Sequence, residues 1–300
     1  MGSLLHRVKS KLSIFAHRRA RGMLEGQYGS AGSGRSLDFD DLRAYVPGDE
    51  VRDIDWKATA RHGSPLVRRY LPVRRQTLLL VTDTGRDMAA ESRGGEPKKD
   101  VAVLALGVMG YLAHRHGDAV GLVCGDSAGT RALPGKTGEA HLERLLREIH
   151  DSASLDAAPS RLQTQLDYVA RTFSRRMLLL VVADEFAPDA DTERVLRRLR
   201  AQHEVLWLTV RDADLAVPAD SYDVAGARAA RGAALLPALM PGGVAASASI
   251  AAAYARARDE RDAARQSMLR RLGIAEADAG SSDDVIPAVF TLLARQRRRR

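Results

Sequence analysis

From Gln76 onward, short apolar runs alternate with longer amphipathic ones. The pattern predicts strands at 77–82, 119–124, 130–133, 177–183 and 204–210, and helices at 99–115, 139–150, 163–174 and 191–202. Strands separated by helices specify a mainly parallel sheet covered on both faces. The 119–124 and 130–133 strands are joined by Gly125-Asp126-Ser127-Ala128-Gly129, which predicts a hairpin and one antiparallel edge strand. Beyond Pro218 the alternation loosens, and helices at 247–272 and 284–296 are expected to close the chain. The uncharged run Gly232 to Ala255 has the length of a membrane span, but Pro237, Pro241, Gly242, Gly243, Ser247 and Ser249 interrupt it. It reads as a loop with a helix starting near Ala245, because a spanning helix needs a continuous apolar stretch.

Ahead of the alternating region the pattern differs. Residues 4–22 predict a basic helix with Leu5, Val8, Leu12 and Phe15 on one face. Gly26 to Ser36 is a Gly/Ser loop without a preceding strand or the glycine order of a dinucleotide site. In Leu37 to Tyr70, Phe39, Leu42 and Tyr45 are spaced for a short helix capped by Asp38, and Pro47-Gly48-Asp49 for a turn. Val51, Ile54 and Trp56 are expected to be half-buried, with Arg43, Arg52 and Arg61 paired to Asp49, Asp53 and Asp55. Charges beside a buried Trp must be paired, since an unpaired buried charge is costly. The chain then divides into an N-terminal region 1–75, an α/β domain 76–215 and a C-terminal helical region 216–300 with a basic tail.

Composition narrows the choice of function. Among 300 residues the only cysteine is Cys124, which excludes an internal disulfide and a cysteine-based metal site. The net charge is +8, and the excess sits at the two ends, His6 to Arg21 and Arg295 to Arg300. Such ends suit anionic surfaces, membrane or nucleic acid, although like-charge blocks are more often solvated tails. No apolar signal core follows the basic start, so a cytoplasmic location is expected, with peripheral membrane contact through the N-terminal helix as the variant of it.

The candidate chemistry lies at strand ends. Three strands run into acids: Asp83 and Asp87, then Asp184 and Glu185, then Asp212 and Asp214. Open α/β sheets bind ligands beyond the carboxyl ends of their strands. The expectation is a shared acidic rim of Asp83, Asp87, Asp184 and Asp212. Competing motifs are weaker. Gly125 to Gly129 matches the G-x-S-x-G nucleophile elbow, with Ser127 as nucleophile and Asp184 and His203 as partners, but no helix follows it. Asp83-Thr84-Gly85 lacks the second such loop that an aspartic protease requires. Gly135-Lys136-Thr137 lacks the upstream glycine of a phosphate loop, and the histidines form no metal-binding pair.

Gly26-x-Tyr28-x-Ser30, followed by DFDDLRAYVPGDEVRDIDWKATAR over Asp38 to Arg61, resembles the bacterial domain-of-unknown-function-58 family. The positions that carry the resemblance are Arg43, Tyr45, Pro47, Gly48, Asp49, Arg52, Ile54, Asp55, Trp56, Ala60 and Arg61. Pro72 to Arg75 departs from it, being basic where relatives are acidic. The resemblance implies a von Willebrand factor A-like, Rossmann-like α/β fold with an N-terminal elaboration. It also implies a non-enzymatic adaptor for protein–protein interaction beside a MoxR-type AAA+ ATPase. That fold carries a metal-ion-dependent adhesion site whose first element is D-x-S-x-S, a set of hard oxygen ligands for Mg²⁺. Here the element reads Asp83-Thr84-Gly85-Arg86-Asp87, so one serine is glycine and the other aspartate. Asp184 matches the later acid, and Ser160 or Thr164 the hydroxyl element. Two states stay open: an altered Mg²⁺ site, or a site that Arg86 closes by pairing with the acids.

Overall fold

The computed structural model describes residues 2–18, 35–47, 49–73, 76–213 and 248–298. It forms two compact units, Gly32–Gln76 and the remainder, Met1–Ala31 with Thr77–Arg300. Along the chain the elements are α1 (Leu4–Arg18), β1 (Arg35–Ala44), α2 (Trp56–His62), β2 (Leu66–Val73), β3 (Thr77–Asp83), α3 (Lys98–Arg115), β4 (Ala119–Gly125), β5 (Thr130–Lys136), α4 (Glu139–Ser152), α5 (Leu162–Thr172), β6 (Leu178–Asp184), α6 (Ala190–Gln202), β7 (Glu204–Val210), α7 (Ala248–Arg271), β8 (Ala275–Ala279) and α8 (Val285–Arg297).

The larger unit is an α/β sandwich around a six-stranded sheet of order β5-β4-β3-β6-β7-β8. All neighbours pair in parallel except β4 and β5, which form the expected antiparallel hairpin edge. Counted from its first strand, this is the 3-2-1-4-5-6 order of doubly wound folds, whose direction of winding reverses between β3 and β6.

Side-chain alternation along the strands builds two cores. Leu78, Leu80, Leu178, Leu180, Val182, Leu206 and Leu208 face one way, onto α3, α4 and α8. Leu79, Val81, Leu179, Val181, Val205 and Trp207 face the other, onto α5, α6 and the end of α7. A strand puts successive side chains on opposite faces, so strands buried on both sides are continuous apolar runs. Burying each such Leu or Val contributes about 1.5–3 kcal/mol. Helix α3 is buried nearly all round, with Val101, Ala105 and Met109 among its inaccessible positions.

Helix α1 packs on this body. Leu5, Val8 and Leu12 are buried, and Phe15 stacks on Phe290 with ring centroids 5.6 Å apart. Val8 sits where a Cβ on Gly107 would approach it to 2.5 Å, so glycine there is what lets α1 come so close to α3. Lys9 pairs with Glu139 at 2.5 Å and Lys11 with Asp283 at 3.1 Å. The apolar stripe that could have entered a membrane is thus used internally. Among the described residues no helix is long and apolar enough to cross a membrane.

The smaller unit corrects two expectations. Phe39 and Leu42 lie on β1, paired antiparallel with β2, and not on a helix. The pairing shifts register between Arg35 and Asp38 and again between Phe39 and Asp41. Each bulge adds a residue to one strand, which turns a two-residue period into apparent three-residue spacing. Trp56 is 64% exposed rather than half-buried, and Val51 is exposed as well. The charged residues are used locally. Arg43 holds Asp49 through two bonds of 2.7 and 2.6 Å, and Asp49 also accepts from the backbone N–H of Val46, closing the turn around Pro47. Arg43 holds the Asp49 carboxyl below its usual range. Arg52 pairs with Glu50. Asp55 caps α2, accepting from the N–H groups of Lys57 and Ala58. Ile54 bridges to Val67, and Ala60 and Arg61 lie in α2, which Gly63 ends in the left-handed conformation at φ 80°. Tyr45 donates its N–H to Pro65 at 2.9 Å. Gly48, the Gly26–Ser30 motif, Asp214 and the 232–247 run lie outside the described residues.

Candidate functional site

The turn after β3 is built by close approach. Thr84 donates its N–H to Gly125 at 2.7 Å, and Arg86 donates to Ala158 at 3.1 Å, which brings the 158–161 segment over the end of the strand. There Gly85 lies against Ser160. A Cβ at Gly85 would fall 2.5 Å from the Ser160 Cα and N and 2.6 Å from its Oγ. Since its φ is an ordinary −70°, the glycine is required by space and not by backbone conformation.

Asp83 is 3% exposed and fully used. Its Oδ1 accepts from the Gly85 N–H at 2.6 Å, and its Oδ2 from the Arg161 N–H at 2.5 Å. Burial pushes its carboxyl up to about 6, opposed by the backbone hydrogen bonds from Gly85 and Arg161. The other acids gather around a residue the sequence reading had left out. Lys98, the first residue of α3, is wholly buried and donates to Asp184 Oδ2 at 2.6 Å and to Asp212 Oδ1. A cation in the first turn of a helix opposes the helix dipole, and a buried ammonium is costly unless paired. The two carboxylates offset both costs and drive the Lys98 pKa above its ordinary value against desolvation. Asp184 also accepts from the Glu185 N–H at 2.7 Å, and burial pushes its carboxyl up while Lys98 opposes the shift. Asp87, 6% exposed, is raised by burial and by Asp212 and lowered by Lys98 and Arg86.

Position in the topology explains why these residues meet. Asp83 and Asp184 end β3 and β6, the two neighbours at which the winding reverses, and Asp212 follows the end of β7. Thr82 ties the pair together by donating to the Val182 carbonyl at 2.9 Å. Ser160 precedes Arg161, whose N–H holds Asp83, and packs against Gly85. Thr164 is in the first turn of α5, where its N–H donates to the Arg161 carbonyl at 3.0 Å. Arg86 leaves its Nε buried without a hydrogen-bond partner among the described residues, while its charge acts on Asp87 and Lys98 pairs with Asp184 and Asp212. The signal for Lys98 was present in the sequence, as a lysine opening an otherwise apolar helix.

The donor set does not fit Mg²⁺ as it stands. Gly85 carries no side-chain oxygen and has no room for one. Both oxygens of Asp83 and of Asp184 are engaged by N–H groups or by Lys98. Among the described residues no three His, Cys, Asp or Glu side chains are grouped to hold a metal ion.

The nucleophile motif is also accounted for. Ser127 is exposed in the turn beyond β4, where Asp126 accepts from the Ala128 and Gly129 N–H groups, and a strand follows. His203 precedes β7, at the opposite end of the sheet. At about 3.3 Å per residue, strands of this length separate the two by roughly 20 Å, too far for a triad. Gly135 and Lys136 are part of edge strand β5 and form no phosphate loop.

A second buried cluster lies on the other face of β6 and β7. Arg265 of α7 is inaccessible and binds Asp262 at 2.6 Å and Glu276 at 2.8 Å. Arg211 joins Asp262 at 2.5 Å to Glu185 at 3.2 Å.

Known proteins are similar to this chain in differing degree. An uncharacterized protein of Mycobacterium tuberculosis (strain H37Rv) and one of Mycobacterium bovis are each 30% identical over 205 residues. The match covers 67% of this chain, and the chain spans about 63% of the length of those curated relatives. Among solved structures, an aerotolerance-related membrane protein from Bacteroides fragilis superimposes with a TM-score of 0.44 at 12% identity, over 73% of this chain and 99% of that one. A von Willebrand factor type A protein from Catenulispora acidiphila gives 0.38 at 8% identity, over 76% of this chain and 44% of that one. Residues 41–228 match the model of one family, and the chain belongs to it: Protein of unknown function DUF58.

Proposed function

We propose that this chain is a non-enzymatic interaction module that works in the cytoplasm with a MoxR-type AAA+ ATPase and docks it through the rim at the carboxyl ends of β3, β4 and β6. The observation that carries the reading is the convergence of Asp83, Asp87, Asp184 and Asp212 at the point where the winding of the sheet reverses. That is where doubly wound folds place their binding surfaces. Ser127 and His203, the nucleophile and base of the competing motif, lie at opposite ends of the sheet. The exposed side chains around the acids, Ser127 and Arg161, are what a partner would meet.

The test is capture of the purified ATPase by the immobilised chain. Arg161→Glu and Ser127→Arg alter exposed side chains and leave the backbone N–H that holds Asp83 in place. Loss of capture in both variants, with unchanged thermal stability, supports the rim as the docking surface. Capture that survives both variants moves the contact elsewhere. No capture by the wild type removes the ATPase as the partner.

A further inference from the structure

The geometry points to Lys98 as a tethered cation that stands in for the divalent ion of an adhesion-type site, so that the rim is assembled without any metal. Two independent observations carry this. Lys98 is wholly buried, and its ammonium reaches two carboxylates at the ends of two different strands, Asp184 and Asp212. Gly85 brings no hydroxyl ligand and could not gain one, because Ser160 already fills the space.

A lysine ammonium is a compact point charge with three donors, the nearest protein equivalent of a small hard cation. It differs from Mg²⁺ in having no open coordination position. A metal in this place could accept a carboxylate from a partner; Lys98, buried and committed to Asp184 and Asp212, cannot. The rim would therefore recognise its partner through its exposed groups and not through a bridging ion. This inference concerns the site alone and holds whether or not the ATPase is the partner.

The test uses the full chain with Mn²⁺ as the probe, followed by electron paramagnetic resonance of the free ion and by thermal unfolding. For the wild type, Mn²⁺ titration shows no site that Asp184→Asn removes, and the unfolding temperature is the same in EDTA and in millimolar Mg²⁺ or Mn²⁺. Lys98→Ala leaves the acids unpaired and opens space between them. Its unfolding temperature falls by roughly 10 °C in EDTA, and Mn²⁺ restores part of the loss. A wild-type Mn²⁺ site that disappears in Asp184→Asn would overturn the proposal. A fall in Lys98→Ala with no recovery in Mn²⁺ would also overturn it, by reducing Lys98 to an ordinary buried ion pair. Should Lys98→Ala not fold, the wild-type titration still decides.

Discussion

A serine in place of Gly85 should weaken this protein. A Cβ at Gly85 would lie 2.5 Å from two backbone atoms of Ser160, about 1 Å inside ordinary contact between carbon atoms. Backbone cannot swing aside as a side chain can, so the 158–161 segment must lift. That segment supplies the Arg161 N–H to Asp83 and receives the Arg86 N–H at Ala158. Overpacking of this kind costs about 1–3 kcal/mol, and a net loss of about 1 kcal/mol follows if one of those hydrogen bonds breaks. The expected cost of Gly85→Ser is thus ~2–4 kcal/mol, or a fall of roughly 4–16 °C in unfolding temperature for a unit of this size. Gly85→Ala should cost about the same, because the methylene and not the hydroxyl causes the clash. Urea unfolding of the wild type and the two variants measures it. If Gly85→Ser were as stable as the wild type, or were stabilised by Mg²⁺, the close approach at Ser160 would not exist as described and the steric account of the altered motif would be wrong.

Acidification should first stabilise the protein and then destabilise it. The folded Asp83 carboxyl is raised to about 6 from 3.8, so between those values the folded chain keeps a proton that the unfolded chain has released. Stability therefore falls as pH rises through this window, and moving from about pH 7 to about pH 5 gains ~1 kcal/mol from this group. Asp87 and Asp184 are raised as well and act in the same direction, while His203, lowered by burial, opposes them because the unfolded chain protonates it first. Below about pH 4 the sign reverses, because Asp189, Glu143 and Asp262 have depressed folded values and lose their stabilisation when protonated. Urea unfolding across pH checks this; a wild type that loses stability steadily from pH 7 to 5 refutes it, and Asp83→Asn should show a smaller rise. In the second cluster, Arg265→Ala leaves Asp262 with Arg211 alone and Glu276 without a cation among the described residues, and should cost about 3–5 kcal/mol, read by chemical denaturation; a cost under ~1 kcal/mol would mean the cluster is hydrated and not buried.

The sheet was legible because its strands obey a rule that sequence displays. Thr77–Asp83, Leu178–Asp184 and Glu204–Val210 are buried on both faces, so they are uninterrupted apolar runs with helices between them. The acids ending them were legible for the same reason, since the runs stop where the chain leaves the core. Strand β8 was not. Ala275–Ala279 alternates alanine with Glu276 and Asp278, which resembles a polar turn and has little strand propensity. Its alanines join the core on one face, while on the other Glu276 and Asp278 meet Arg265, eleven and thirteen residues back along the chain. Lys98 was missed for a related reason: its partners come from β6 and from the segment after β7, and no local spacing reports a contact across that distance. In β1, bulges hid the two-residue period, so a strand read as a helix. The signature of Arg43, Asp49 and Asp55 proved to be local hydrogen bonding, and its density of charge needed no buried Trp to explain it.

The two buried cations divide the rim between the faces of one sheet. At the end of β6, Asp184 turns to Lys98 and its neighbour Glu185 turns to Arg211. Just beyond β7, Arg211 turns to Glu185 and Asp262, and its neighbour Asp212 turns to Lys98. Consecutive residues at a strand end point to opposite faces, so each strand contributes one charge to each cluster. On the α3 side, one cation faces Asp87, Asp184 and Asp212. On the α7 side, two arginines face Glu185, Asp262, Glu276 and Asp278. Because the two networks share no side chain, altering Arg265 changes the α7 side without releasing Lys98.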